Sequence, residues 1–420
     1  MQILKFGGAS VKDAQGVKNL EKVLKITGTT ETIIVVSAMG KTTNALEKVI
    51  DHYYHSKHKL QSSIQEVQKY HNAILLELFE NETHVVFKTV SKLFQELTAF
   101  FKRNKSPNYN FVYDQTIGYG ELVSTTIISY YLNHKGLKNK WLDAREVIKT
   151  NRNYRNAKID WNGTQAKIKK AVNSKKCIIT QGFIASDANN FTTTLGREGS
   201  DYSAAIFAYC TNAENVCVWK DVPGILNADP RYFDNATLLR SLSYEEAIEL
   251  SYYGASVIHP KTLQPLQRKE IPLFVKSFLK PEQEGTKVGK GLQLTPNIPC
   301  YILRENQILI SISSLDFSYI VEENISHIFN LLHSCRMKVH LIQNSAISFT
   351  VCVENNFDNL ETLLLQLKAK YKVSVEKAVN IFTLRHHTAE AIDEIEKNKT
   401  VLIKQITPKT IQIVTKPHNT

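Results

Sequence analysis

The chain has 420 residues, with 52 Lys and Arg against 40 Asp and Glu for a net charge of +12. Its 43% hydrophobic and 22% charged residues are the composition of a folded globular protein large enough for two or three domains, which excludes a disordered or fibrous chain. No apolar run approaches the ~20 residues of a membrane span, and Met1-Gln-Ile-Leu-Lys5 opens no basic segment followed by an apolar core. No membrane association is expected, and the expected compartment is the cytoplasm. The positive balance has no nucleic-acid module behind it. Lys is scattered among Glu, so a bias toward Lys and Asn accounts for the charge, with attraction of anionic small molecules as the alternative.

In chain order, Gln2 to Phe6 is a short apolar run that ends in Gly7-Gly8. A helix is predicted from about Val11 to Lys25, and the β-branched run Thr32 to Ser37 reads as a strand buried on both faces. Residues 42 to about 104 carry apolar positions at helical spacing. Within them His52, His55 and His58 fan over about 120° of a helix, which reads as a solvated face rather than a metal site. Strands and helices then alternate through Leu122–Leu132, Cys177–Gln181, Val216–Trp219 and Pro272–Lys276. The polar, glycine-containing stretch Lys280 to Gly291 reads as a linker. Beyond it, Ile308–Ile312, Val321–His333, Val339–Ile342, Ile347–Val353 and Leu360–Lys370 form a strand–helix–strand–strand–helix pattern, typical of a small separate domain. A strand (Val379–Leu384), a helix (Ala389–Lys397) and a hairpin about Thr407-Pro408-Lys409 complete the chain. The six cysteines form no CxxC pair and read as buried, reduced thiols.

Five segments carry chemistry. Lys5-Phe6-Gly7-Gly8-Ala9-Ser10 follows the first strand, where paired glycines let backbone N–H groups approach an anion and Lys5 supplies a point charge. Ser37-Ala38-Met39-Gly40-Lys41-Thr42-Thr43 follows the second strand, at the end of a sheet where open α/β folds bind ligands. Gly118-Tyr-Gly120-Glu121 opens a helix with a carboxylate. Thr194-Leu195-Gly196-Arg197-Glu198-Gly199-Ser200-Asp201 combines flexed backbone donors, an Arg fork and an Asp, with Ser200 or Asp201 as the expected helix cap. Trp219-Lys220-Asp221-Val222-Pro223-Gly224 runs on to Asp229-Pro230-Arg231. Each segment alone also reads as turn or cap chemistry.

Together, in this order, the five segments resemble the aspartate kinase (aspartokinase) family. The likeness extends through Ser243 to Ala255, His259-Pro260 and Gly285-Thr286, about residues 1–290. The resemblance implies an α/β amino-acid-kinase fold, an αβα sandwich about a mainly parallel sheet, over 1–290. It implies an α+β regulatory region of ACT type over 301–420, its second unit shortened, that pairs two copies into a homodimer. It implies ATP with Mg²⁺, L-aspartate as substrate, and direct in-line transfer to the side-chain carboxylate to give 4-phospho-L-aspartate. By the same resemblance Lys5 neutralises the transferring phosphoryl group and Gly7, Gly8 and Ser10 cradle phosphates. Ser37 and Thr42 or Thr43 line the site, with the register open by one residue. Glu121 takes the substrate ammonium and Arg197 its α-carboxylate, Asp201 orients Lys5, and Lys220, Asp221 and Arg231 meet the nucleotide. A carboxylate nucleophile with pKa ~4 is already ionised at neutral pH, so no general base and no metal held by protein ligands is expected.

The sequence departs from the family at Glu198, where glycine is usual, at Ser256, where lysine is usual, and at Leu226-Asn227, where an aromatic is often found. His340 and Ala346 stand where lysine-sensitive members carry acids, so free lysine is expected to inhibit weakly or not at all. Two alternatives stay open: a kinase of the same fold acting on another acidic amino acid, and a catalytically weak regulatory paralogue.

Overall fold

The computed structural model describes residues 1–172, 176–255, 258–316 and 318–417. They form two compact units. The first is Met1–Ile225 with Leu238–Ile248 and Ser256–Pro296, and the second is Leu226–Thr237 with Glu249–Ala255 and Asn297–Thr420. Two short stretches from within the first 290 residues therefore belong to the second unit. Ser256 lies outside the described residues.

The chain begins with β1 (Gln2–Phe6), α1 (Ala14–Thr27), β2 (Thr32–Val36), α2 (Thr42–His55), α3 (Leu60–Leu78) and α4 (Val85–Arg103). It continues with α5 (Tyr109–Ile117), α6 (Tyr119–His134), β3 (Asn139–Leu142), α7 (Ala144–Val147), α8 (Trp161–Ala171) and β4 (Cys177–Gln181). A small hairpin, β5 (Ile184–Ser186) and β6 (Thr192–Thr194), leads to α9 (Gly199–Thr211) and β7 (Asn215–Lys220). Then come β8 (Ser241–Ser243), α10 (Tyr244–Tyr253), α11 (Pro260–Lys269), β9 (Leu273–Ser277) and β10 (Thr286–Gly289).

Eight of these strands make one sheet in the order β3-β4-β2-β1-β7-β9-β10-β8. Every pairing is parallel except that of β10 with β9. Alternate side chains serve opposite faces. Leu4, Phe6, Ile34, Val36, Ile179 and Trp219 join the apolar stripes of α1, α2, α3, α4 and α6 in one core. Ile3, Ile33, Val35, Val216 and Val218, all buried, point the other way, where α9 lies against β1, β2 and β7 with α8 and α11 beside it. Lys5 and Lys220 share that second face at the carboxyl ends of their strands, so the alternation of two strands aims two ammonium groups at the start of α9.

Three sequence expectations change. Helix α1 begins at Ala14, not Val11, because Asp13 is extended (φ −151°) and its Oδ1 accepts the Gly16 N–H at 2.7 Å. The stretch read as a linker contains β10, joined to β9 and β8. Helix α9 starts at Gly199 with Glu198 as its left-handed cap (φ 53°), which puts Ser200 and Asp201 inside the first turn rather than at the cap. The six cysteines are buried, as expected. His52 and His55 end α2 while His58 sits in a separate short turn, and among the described residues no three His, Cys, Asp or Glu gather as a metal site. No helix among the described residues is long and apolar enough to cross a membrane.

The second unit contains β11 (Cys300–Ser313), α12 (Glu322–Ser334), β12 (Lys338–Asn344), β13 (Ser348–Glu354), α13 (Leu360–Lys368), β14 (Lys372–Arg385), α14 (Ala389–Glu396), β15 (Lys399–Ile406) and β16 (Thr410–Pro417). Its six strands are antiparallel in the order β12-β13-β11-β14-β16-β15. Strand β14 completes the expected pattern as βαββαβ. The long strands β11 and β14 serve two halves, with bulges between Arg304, Gln307 and Leu309 at the join. Helices α12 and α13 cover Ile308, Ile310, Ile312 and Val351 in one half. Helix α14 alone covers Leu384, Ile411 and Ile413 in the other.

Candidate active site

A cavity of about 510 Å³ opens at the carboxyl ends of β1, β2 and β7, lined wholly by the first unit. Of the residues singled out from the sequence, it brings together Lys5, Gly8, Ser37, Thr43, Glu121, Arg197, Asp201 and Lys220. Close packing of three loops makes this convergence. A Cβ on Gly8 would sit 2.6 Å from the Ala38 carbonyl oxygen, and the Gly40 N–H donates to the Gly8 carbonyl at 3.0 Å. Only glycine lets the loops after β1 and β2 approach so nearly.

The other singled-out residues do not line it. Gly7 and Ser10 close a turn, the Ser10 N–H donating to the Gly7 carbonyl at 3.0 Å, and a Cβ on Gly7 would sit 3.6 Å from Lys5 Nζ, so Gly7 flanks that ammonium. Thr42 is buried, and its hydroxyl donates to the Met39 carbonyl at 2.5 Å and faces His71 Nε2 at 3.4 Å, which leaves Thr43 as the lining threonine. Asp221 is exposed and does not line the cavity. Arg231 belongs to the second unit, where its guanidinium forks onto Asp229 at 2.6 to 3.1 Å.

Asp201 organises the cations. Lys5 Nζ stands 2.6 Å from its Oδ1 and Lys220 Nζ 3.5 Å from its Oδ2. Burial pushes the Asp201 carboxyl up, but the two ammonium groups outweigh burial and hold it below the usual carboxylate range. The group stays ionised and spaces Lys5 from Lys220.

Glu121 is the opposite case. It is fully buried in the first turn of α6. Its Oε1 accepts the Ala38 N–H at 3.3 Å, and its Oε2 has no partner among the described residues. Burial pushes its carboxyl up to about 8 against the pull of that bond. A buried carboxyl that faces a cavity with an open acceptor is built to receive a cationic group.

Arg197 lies exposed at the rim, with no ion-pair partner among the described residues. Sequence reasoning missed a second guanidinium, Arg155. Its backbone is left-handed (φ 69°), and its N–H donates to both oxygens of the buried Asp114 at 3.1 and 3.0 Å. Asp114 also accepts the N–H and hydroxyl of Thr194, at 2.9 and 2.8 Å. The Arg155 guanidinium lies 4.4 Å over the Tyr113 ring, and the Tyr113 hydroxyl is fixed by Glu47 at 2.9 Å. Tyr113-Asp114 lies just upstream of Gly118-Tyr-Gly120-Glu121, so extending that motif back one helix would have found the pair. No local pattern marks Arg155. The cavity therefore carries Lys5, Arg155, Arg197 and Lys220 against Glu121, Glu198 and Asp201.

The amino acid kinase family model matches residues 1–277. Over 344 residues the chain is 30% identical to lysine-sensitive aspartokinase 3 of Escherichia coli K12, covering 81% of this chain and 75% of that protein. The chain belongs to the amino acid kinase family. Aspartokinases are among its relatives within that family. It is 32% identical over 323 residues to the chloroplastic bifunctional aspartokinase/homoserine dehydrogenase 2 of Arabidopsis thaliana, over 73% of this chain but 35% of the relative, so it spans about a third of the length of such bifunctional relatives. The crystal structure of E. coli aspartokinase III with aspartate and ADP superposes with a TM-score of 0.82 at 26% identity, over 99% of this chain and 96% of that one. The same enzyme with lysine and aspartate gives 0.83, over 99% and 95%. The amino-acid-kinase fold and the C-terminal sheet unit of this family are thus both present.

Proposed function

We propose that this amino acid kinase is an aspartate kinase. It transfers the γ-phosphoryl group of ATP to the side-chain carboxylate of L-aspartate to give 4-phospho-L-aspartate, the first step toward lysine, methionine and threonine. The observation that carries the reading is the pairing, in one cavity, of Glu121 and its open buried oxygen with the Lys5–Asp201–Lys220 cluster and Arg197. Such a site takes a ligand with an ammonium group at one end and several anionic groups at the other. The E. coli relative, crystallised with aspartate and ADP, supports it.

The residues perform the chemistry by charge and alignment. The substrate carboxylate is ionised at neutral pH, so the barrier is repulsion between two anions plus their alignment. Glu121 takes the ammonium group and Arg197 the α-carboxylate, which together hold the second carboxylate toward Lys5. Lys5 and Lys220 neutralise charge as the phosphoryl group passes directly from one oxygen to the other, with no covalent enzyme intermediate. Asp201 keeps both cations in place. The donor set of the cavity is cationic rather than a carboxylate cage, so it suits Mg²⁺ that arrives on the ATP phosphates, where the ion supplies further charge neutralisation.

The second unit supports a homodimer. Leu315, Tyr319, Ile342 and Ile347 are exposed apolar side chains on it, and β12 ends its sheet unpaired. A monomer in light scattering would count against the dimer. The reaction is tested by trapping acyl phosphate with hydroxylamine on L-aspartate and L-glutamate, in the unaltered chain and in Lys5→Ala. Aspartate-selective turnover that Lys5→Ala abolishes is expected. No turnover on either acid at saturating Mg-ATP refutes the reading.

A further inference from the structure

We propose that the second unit holds a binding site for a small organic cation with two or more ammonium groups, in a groove where Glu305, Glu354, Asp358 and Gln307 converge. The groove has a volume of about 480 Å³ and lies at the join between the two halves of the antiparallel sheet. Nothing in this inference depends on the reaction proposed above.

Gln307 is the observation that points to a ligand. It sits at the bulge of β11, paired with Val379 of β14, while its neighbour Ile308 pairs with Val353. That register sets Gln307 beside Glu354 at the end of β13. Gln307 is 5% exposed. Gln307 lines the groove; its Nε2 donates to the Glu305 carbonyl at 2.7 Å, and its buried Oε1 has no partner among the described residues. A buried amide oxygen left without a donor is costly, and an ammonium group in the groove would satisfy it.

The lining around this oxygen carries an excess of negative charge, Glu305, Glu354, Asp358 and Glu361 against Lys377. Glu354 has His340 Nε2 at 3.1 Å. Burial, with Arg304 nearby, pushes His340 down to about 4, so the ring is neutral at physiological pH. Burial raises the Glu354 carboxyl, but hydrogen bonds from His340 and Asn356 outweigh it and keep the group ionised. Asp358 makes no ion pair among the described residues, and Glu305 accepts the Tyr232 hydroxyl, a neutral donor. Of the cations nearby, Lys377 lines the groove itself, Lys338 helps to hold Glu354 down and Arg231 acts on Glu305. Lys377 pairs with Glu361 at 3.4 Å, Arg304 donates to the carbonyls of Tyr253 and Tyr252 at 2.7 and 3.0 Å, and Arg336 stacks on Phe357.

The shape selects the class of ligand. A divalent ion needs six or more oxygens drawn to ~2.0–2.6 Å, and among the described residues no three acids gather for one. The groove's volume of about 480 Å³ admits a small organic molecule, and its separated carboxylates suit separated ammonium groups. A ligand that also carries a carboxylate is repelled, so a diamine should bind better than a basic amino acid.

Isothermal titration of the full chain at low salt, with putrescine, spermidine and L-lysine as probes, tests the site. Expected is one saturable site with spermidine tighter than putrescine and both tighter than L-lysine. Asp358→Asn should weaken spermidine about tenfold, and Glu305→Gln with Asp358→Asn should weaken it further. Both residues are exposed, and the left-handed backbone at Asp358 (φ 53°) accepts Asn, so the fold is retained and a melting curve checks it. Glu390→Gln, outside the groove, should leave binding unchanged. Absence of saturable binding, equal binding in the double variant, preference for L-lysine, or saturation of the same site by Mg²⁺ or Ca²⁺ in place of the amines would each overturn the proposal.

Discussion

Glu121 makes the affinity for L-aspartate depend on pH in a calculable way. Burial holds its carboxyl at about 8 in the open cavity, so at pH 7 only about a tenth of the molecules carry the charge that attracts an ammonium group. Binding must expel the proton. The apparent dissociation constant then scales as one plus the ratio of protonated to ionised Glu121, and it falls about fivefold to tenfold between pH 7 and pH 8.5. Calorimetry of aspartate binding at pH 7, in buffers of different ionisation enthalpy, should report about 0.9 proton released per aspartate bound. Glu121→Gln should bind aspartate weakly, with the pH dependence and the proton release both gone. Stability moves the other way. The native state keeps a proton that the unfolded chain releases above its ordinary value of 4.5, so stability falls as pH rises from about 4.5 to about 8. The cost reaches about 3 kcal/mol at pH 7, and Glu121→Gln should therefore melt higher than the unaltered chain above neutral pH. Affinity that is flat from pH 6.5 to 8.5, with no proton released, would refute the assignment of Glu121 as the ammonium site.

Four further outcomes follow from the cavity. Lys5→Met and Asp201→Asn should each lower kcat by about a hundredfold to a thousandfold, and the double variant should lose far less than the product, because the two act as one unit. Thr43→Val should raise the KM for aspartate with the melting point unchanged. Thr42→Val should lower stability by about 1 kcal/mol and leave KM alone, since its hydroxyl is spent on Met39. Arg155→Gly should fold well, because glycine suits φ 69°, and should raise the KM for aspartate about tenfold with little change in kcat, as read in the hydroxylamine assay. Glu198→Gly removes a left-handed non-glycine residue and a carboxylate whose Oε2 is buried without a partner. It should lower the KM for aspartate about fivefold, the worth of ~1 kcal/mol of relieved repulsion, and a collapse of kcat instead would show that Glu198 takes part in the reaction.

What the sequence made legible, and what it hid, divide by the range of the interactions responsible. Strand–glycine–helix turns are local: Gly7-Gly8 after β1 and Gly196 to Asp201 running into the first turn of α9 announce themselves, because the backbone conformation and the residues that use it lie within one short stretch. Period-two alternation is local too, but it takes the register of β1 with β7, Lys5 opposite Val218, to put Lys5 and Lys220 on one face of the sheet. Strand β10 was hidden because its sequence, Glu284-Gly285-Thr286-Lys287-Val288-Gly289, has no strand pattern of its own. It is made by tertiary contact. Thr286 Oγ1 donates to the Leu239 carbonyl at 2.5 Å and accepts the Ile225 N–H at 2.8 Å. Gly285 (φ 72°) is required because a Cβ there would collide with the Val275 carbonyl oxygen. Arg155 was hidden for the same reason. Nothing within ten residues predicts that Asp114, 41 positions away, pins its backbone, or that Tyr113 seats its guanidinium. The register of Thr42 and Thr43 was open because both open the same helix, and only the packing of α3, through His71, decides which hydroxyl turns inward. Arg155 and Glu198 share one further property: both hold left-handed backbone at the cavity wall, where a glycine would cost nothing. Phe183 (φ 68°) holds the same conformation at this wall, so what sets Arg155 and Glu198 apart is their opposite charge at one cavity rather than the strain alone. Arg155→Gly and Glu198→Gly, which relieve the same strain and remove opposite charges, should therefore shift the KM for aspartate in opposite directions.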